Sequence, residues 1–293
     1  MRNVNLLSQD NINNSNTFRL LSRQLNVATG GTIVDDATYR YHIFTATGTF
    51  FTPNDRTADA LIIAGGGAGG TQRAGGGGGG GVIYYRTLNF LGQTNYTITV
   101  GSGGIGAPAY SPTSGGFSSV SHESGTTVAD GGGRGSTGYG GLGAEGGSAG
   151  GSSGGQWGSG STNTSNAMGY RSGYGSNNSN FSWCGGGGGG ATSAGVNGEQ
   201  GPPRGTGGNG FLLDTATRSL SVFSGMTYVS SGGGAGSFDG TCGTASTAGG
   251  GNGSTNSTGG NATSYGSGGG GGGRDSSPGG NGYAGIVILR YLR

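Results

Sequence analysis

The chain contains no lysine, and all 14 of its basic residues are arginine. It has 2 histidines, 2 cysteines and 6 prolines, and charged residues make up 9%. Each shortage removes a class of protein. Collagen needs a strict Gly-X-Y repeat rich in proline; scarce proline and unbroken glycine runs such as residues 75–81 exclude it. A net charge of +2 without a basic cluster lacks the electrostatic footprint of a nucleic-acid binder, so no nucleic acid is expected as a partner. No stretch approaches the ~20 apolar residues of a membrane-spanning helix, so no membrane insertion is expected. The opening MRNVNLLSQDNINN holds no unbroken apolar run, and no secretory leader is read from it. The two cysteines, Cys184 and Cys242, can pair in one way only and have no metal-ligand spacing. Asp35-Asp36 and the Asp55/Asp59 pair read as turn or solvated residues. Neither a metal nor a cofactor is expected.

What is present is glycine: 79 of 293 residues, against roughly 7% in an average chain. Short apolar runs break directly into it. Leu61-Ile62-Ile63-Ala64 enters GGGAGG, and the run 75–81 leaves into Val82-Ile83-Tyr84-Tyr85. Disorder is the natural suspicion for so little apolar material. However, disordered chains are marked by high net charge, and here the apolar residues are segregated. Residues 130–210 contain only Leu142, Phe181 and Val196 of the Leu, Ile, Val and Phe set, and residues 230–282 contain only Phe238. The remainder suffices for one β domain of about 130 residues.

Strand-like runs, rich in β-branched and aromatic residues and closed by Gly, Pro, Asn or Ser, fall at 39–51, 58–64, 82–91, 95–100, 116–121 and 126–129. Residues 211–229 read as two more strands. The last run, GIVILRYL, is apolar enough that it should lie centrally or be well covered, since a bare edge of this kind would aggregate. No helical period separates these runs. The fold class read from them is all-β: an antiparallel β-sandwich or jelly roll with long glycine-rich inserts at about 130–210 and 230–282. Residues 1–37 stand apart as an N-terminal arm. Ser15-Asn16-Thr17 could cap a short helix carrying Phe18, Leu21 and Leu25 on one face. That face could pack on its own domain, or serve attachment and self-association.

Ordering glycine costs more backbone entropy than ordering any other residue. Yet glycine has no side chain to hold neighbouring chains apart. Polyproline II helices have three residues per turn and no internal hydrogen bonds. Glycine helices of this type can approach closely enough to bond backbone to backbone, which satisfies every polar group. The inserts also carry aromatic residues: Tyr139, Trp157, Tyr170, Tyr174, Phe181, Trp183, Phe238 and Tyr265. Flexible linkers seldom do. The inserts are therefore expected to be ordered as bundled polyglycine II helices.

The ordered series GTFFTP, ADALIIAGGGAGG, GGGGGGGVIYYRTL, NYTITVGSGG, TTVADGGG and GGNGYAGIVILRY resembles the glycine-rich domain of many bacteriophage virion proteins. The resemblance covers about residues 45–291. The chain is also similar to the glycine-rich adhesins at the tail-fibre tips of phages related to the T-even group. It is more distantly similar to the extracellular glycine-rich domain of a receptor tyrosine kinase. In those relatives the glycine segments form bundled polyglycine II helices, and the phage adhesins bind host receptors through loops at the bundle ends. The resemblance thus implies a non-enzymatic virion surface protein, a tail fibre or adhesin displaying loops to a host-surface glycan or protein. A capsid or tail decoration protein is the alternative. It further implies a homo-oligomer, such as a trimer, docked to other virion proteins through the arm. Residues 1–37 depart from the family pattern.

Short catalytic motifs do not survive their context. Gly65-x-Gly67-x-x-Gly70 follows a strand, but the dinucleotide fingerprint needs a helix next and an acidic residue about 20 positions on. Here more glycine follows, then a run without Asp or Glu. Gly146-x-Ser148-x-Gly150 matches a nucleophile elbow but has no strand before it. His42 reads as packed in a strand and His122 as a turn residue, so no catalytic residue is assigned. The candidate contact residues are Trp157, Tyr170, Tyr174, Phe181 and Trp183, within GSTNTSNAMGYRSGYGSNNSNFSW, where glycine density drops. Trp and Tyr dominate contact energies. Equally, these rings could cover the bundle or pack against a neighbouring subunit.

Overall fold

The computed structural model describes residues 27–107, 111–138, 141–154, 184–198, 204–238, 243–245, 247 and 249–293. The strands are β1 (Thr32–Asp35), β2 (Tyr39–Phe44), β3 (Gly48–Thr52), β4 (Arg56–Ile63), β5 (Val82–Phe90), β6 (Thr94–Thr99), β7 (Ser118–His122), β8 (Gly125–Ala129), β9 (Phe211–Leu212), β10 (Tyr228–Val229) and β11 (Ile286–Leu292). One sheet has the order β1-β2-β11-β4-β5, a second β3-β6-β7-β8, and β9 pairs with β10. Every pairing is antiparallel. The chain is thus all-β with almost no helix.

Alternation decides which face each strand buries. Phe44, Ala60, Ile62, Val287 and Leu289 of the five-stranded sheet meet Phe50, Tyr96, Ile98 and Val120 of the other in one buried cluster. The opposite face of β4 and β11 presents Leu61, Ile63, Ile286 and Ile288 to Leu213, Leu220, Phe223 and Val229. This two-sided burial is why LII and IVIL are unbroken apolar runs rather than alternating ones. The C-terminal strand β11 lies centrally, between β2 and β4.

Two expectations are corrected. The run 39–51 is not one strand: residues 45–47 turn, and β2 and β3 belong to different sheets. Residues 211–229 do not form two full strands. They form the two-residue strands β9 and β10, with helix α1 (Thr215–Arg218) and a 3-10 turn (Ser221–Phe223) between them. The cause is local capping. Asp214 adopts extended geometry and accepts from the Thr217 amide, satisfying an otherwise orphaned donor. Its carboxylate also accepts from the Thr217 and Tyr84 hydroxyls. Burial alone would raise the Asp214 pKa, but these bonds together hold it below the usual carboxylate range. Tyr84 sits where the β4–β5 register shifts. Next to it Tyr85 has φ +42, a bulge conformation uncommon for an aromatic residue. The Arg290 guanidinium covers the Tyr85 ring at 3.4 Å and pairs with Asp59 at 3.6 Å.

Beyond the sheets the backbone forms a lattice. Along 64–72, the amides of Ala64, Gly67 and Gly70 donate to Gly81, Gly78 and Gly75. Those of Gly65 and Ala68 donate to Gly116 and Thr113, and those of Gly66, Gly69 and Gln72 to Tyr283, Gly280 and Ser277. Each neighbour is met at every third residue, the threefold pattern of polyglycine II. The run 75–81 is enclosed on all sides. Its amides donate to residues 186 and 189, 269 and 266, and 133 and 130; its carbonyls accept from the 64–70 segment, from Ser148 and Gly151, and from Gly233. Six segments surround it. The run 268–273 is likewise ringed, by segments at 231–234, 67–70, 257–260, 74–77, 280 and 251–254.

A Cβ on Gly75, Gly76, Gly77, Gly78, Gly79 or Gly80 would lie 2.0–2.3 Å from a neighbouring carbonyl oxygen. None of the six has a positive φ, so space and not conformation demands glycine. Where a segment reaches the surface the pattern relaxes to one side chain in three: Ser102 and Ile105 are exposed, while a Cβ on Gly101, Gly103, Gly104 or Gly106 would collide with backbone at 2.0–2.2 Å. The lattice also draws on 64–81 and 101–116, outside the two long inserts. The amides of Gly65-x-Gly67-x-x-Gly70 are bonded within it, so they cannot cradle a phosphate. Ser148 is fully buried within it.

His42 is fully buried and joins Gly30 to the last strand. Its ring nitrogens meet the Gly30 carbonyl at 2.7 Å and the Tyr291 hydroxyl at 3.1 Å. Thr29 pairs with Phe51, so the chain approaches β3 from its Thr52 end. Strands β4, β5 and β11 meet the lattice at Ile63, Val82 and Ile286, so Thr52, Tyr39 and Leu292 lie at the opposite end of the sheets. Residues 27–29 and Leu292, the last residue of β11, therefore lie together at the end of the sheets remote from the lattice.

Two outcomes are expected. Gly77→Ala should destabilise the protein by at least about 3 kcal/mol, the upper range for overpacking, because every atom it meets is backbone; Ala68→Gly should cost about 1 kcal/mol or less. Equal midpoints for the two variants in denaturant unfolding would refute the close-packed lattice. Burial holds the His42 pKa below its ordinary 6.5, more than its bond to Gly30 raises it. A folded-state value below the unfolded one means that the unfolded chain binds the proton first, so stability should fall as pH drops below about 6.5. His122 is shifted in the same direction. His42→Gln should flatten the stability slope between about pH 7 and pH 5; an unchanged slope would rule out His42 as its source.

Candidate functional site

The lattice segments rise from the sheets, turn, and return. At the far end the turn 71–73 is a hub. Gly138 N donates to Thr71 O at 3.0 Å and Gly154 N to Arg73 O at 3.1 Å, while Arg73 N donates to Gly273 O at 2.8 Å and Gln72 N to Ser277 O at 3.1 Å. Thr71 Oγ1 donates to Ala107 O at 3.0 Å. Turns that are far apart in sequence thereby converge on three residues. Gln72 and Arg73 have φ +65 and +54, and Asp275 and Ser276 in the facing turn have φ +57 and +62. Paired left-handed non-glycine residues are sparsely populated and persist only where their surroundings over-determine them; here both flanks are bonded into the lattice.

One side chain organises this end. Half-buried Phe238 faces the Arg73 guanidinium at 4.1 Å and that of Arg274 at 5.5 Å. Arg274 also pairs with Asp275 at 3.0 Å. The aromatic face attracts both cations, so Phe238 ties two turns about 200 positions apart in sequence. The stems of the predicted contact stretch flank this hub. Gly154 is bonded to Arg73, and Cys184 bridges to Ser237, beside Phe238.

Trp157, Tyr170, Tyr174, Phe181 and Trp183 lie outside the described residues, as do Phe18, Leu21 and Leu25. The structure therefore brings together their flanks only. The Phe238 cluster was not picked out in the sequence, where Phe238 was one aromatic among eight. A signal existed: Phe238 is the only Leu, Ile, Val or Phe of 230–282, Arg274 borders a long glycine run, and Arg73 precedes one across Ala74. Among the described residues no group of three or more His, Cys, Asp or Glu side chains could hold a metal, and no helix is long and apolar enough to cross a membrane.

Residues 45–292 match the family model described as a glycine-rich domain. No curated protein matches the chain. Phe238→Ala should lower stability by about 1–3 kcal/mol through lost burial and lost cation contacts, and Phe238→Leu should recover only the apolar part. If Phe238→Leu unfolds in denaturant at the wild-type midpoint, the arginine contacts contribute nothing.

Proposed function

This chain belongs to the glycine-rich domain family, and we propose that it is a non-enzymatic bacteriophage virion surface protein, a tail fibre or adhesin. The proposed mechanism is display. The sheets carry a rigid lattice, and the lattice holds loops out towards a host-surface glycan or protein. The N-terminal arm, residues 1–37, docks the protein to other virion components, and copies of the chain associate. Residues 159–183, with Trp157 beside them, make the contact.

One observation carries this reading: the two ends of the molecule are opposed. Residues 27–29 lie at the end of the sheets remote from the lattice, while the stems at Gly154 and Cys184 stand at the lattice's far end. An attachment segment and a contact loop need such a separation. The resemblance in the ordered glycine motifs supplies the virion context.

The test is immunogold electron microscopy of native particles with antibody raised against residues 159–183. Label at fibre tips is expected. Label over the shell or tail shaft would replace the adhesin with a decoration protein, and no label would overturn the virion reading. In parallel, replacing 159–183 by a short Gly-Ser linker should abolish binding of the isolated protein to host cells and leave thermal unfolding unchanged. Unfolding of that variant would make the stretch core rather than contact surface.

A further inference from the structure

The two sheets are open along one side. Strand β5 is the outer strand of the five-stranded sheet and β8 that of the four-stranded sheet. Between them lies a cleft of about 800 Å³, within the usual size range of small-molecule sites. Its walls differ in chemistry. Ile83 and Val128 give it apolar patches; Ser124, Thr126 and Thr127 line it with hydroxyls; Arg86 and His122 add nitrogen donors. No carboxylate lines it.

Arg86 is the unexplained residue. It is exposed, and among the described residues its guanidinium has neither an ion pair nor a hydrogen bond. Elsewhere the arginines of the scaffold are engaged: Arg40 with Asp35, Arg290 with Asp59, Arg56 over Tyr291. His122 is held at Nε2 by the Thr127 hydroxyl at 3.0 Å, which fixes its ring at the cleft wall. Burial, and then the nearby charge of Arg86, keep its pKa below the ordinary value, so the ring is neutral near pH 7 and the cleft carries the single charge of Arg86.

We propose that this cleft binds an acidic saccharide, with the sugar carboxylate on Arg86, its hydroxyls on Ser124, Thr126 and the His122 ring, and its apolar face over Ile83 and Val128. A planar fork of donors matches a carboxylate bidentately. A hydroxyl-lined wall matches a polyol, and scattered apolar contacts match a pyranose face. The open side of the cleft lets the ring continue into a longer chain. This site rests on none of the far-end geometry and stands or falls independently of the display reading.

The experiment titrates the full chain with glucuronate, glucose and inorganic phosphate, followed by the His122 ring signals in NMR. Glucuronate should saturate, with glucose at least about tenfold weaker, since a hydrogen bond to a charged group contributes about 1.5–3 kcal/mol. Arg86→Gln should weaken glucuronate binding by about tenfold or more. The variant should fold normally because Arg86 has no partner to lose; His122→Ala gives a second probe, read by calorimetry. No saturable shift with glucuronate, or equal affinity in Arg86→Gln, overturns the site. Glucose binding as tightly as glucuronate overturns the role of Arg86. Phosphate binding as tightly as glucuronate overturns the saccharide and leaves a simple anion site.

Discussion

The structure depends on one contact: a backbone amide of one glycine helix donating to a backbone carbonyl of the next, at a separation that leaves no room for a Cβ. The bonds around 75–81 run from 2.7 to 3.1 Å. Each contributes a net of about 0.5–1.5 kcal/mol, and leaving a buried partner unmade costs about 1–3 kcal/mol. That asymmetry fixes register. Sliding a segment by one residue would rotate its donors away from every neighbour at once, because each neighbour is met at one residue in three. The entropy lost by ordering glycine, roughly 1–2 kcal/mol per residue, is offset only when most groups are paired. A partial lattice is therefore a poor solution, and closure on six sides a good one.

The sheets supply what the lattice lacks. Glycine helices bury almost no apolar area, so they have little of the term that dominates folding. Strands β4, β5 and β11 feed directly into lattice segments at Ile63, Val82 and Ile286. Their two-sided burial anchors one end of each segment in register. From there the threefold pattern propagates the register outward to the turn 71–73, where Phe238 and two arginines add side-chain contacts to the backbone bonds.

This division explains what could be read from the sequence. The strands were legible because β-branched runs ending in glycine have few other outcomes, and the central place of β11 followed from its unbroken IVIL. The bundled glycine helices were legible from the accounting of backbone polar groups. The turn between β2 and β3 was not, because Thr45-Ala46-Thr47 carries no strong breaker. The helix at Thr215–Arg218 was missed because its only local sign is the Asp214 cap, directly after the apolar run Phe211-Leu212-Leu213 that looked like a strand. At the far end, Phe238 and Arg73 are 165 positions apart in sequence, and only the lattice geometry makes them neighbours. A usable rule emerges from Ser102 and Ile105: uninterrupted glycine marks an enclosed segment, and side chains at intervals of three mark one with a free face.

A scaffold bonded through its backbone has a further property. Its register rests mainly on backbone bonds, with a few side chains such as Thr71 and Asn281 completing it near the ends. Turns at the far end need only present backbone at the correct spacing, as Thr71, Gln72 and Arg73 do through their amides and carbonyls. The stems Gly154 and Cys184 are themselves held through backbone, to Arg73 and Ser237. In the enclosed run 75–80 a single methyl group meets a carbonyl oxygen of a neighbouring segment. Steric exclusion is thus concentrated in the enclosed glycine runs, whereas at a segment with a free face side chains such as Ser102 and Ile105 are accommodated.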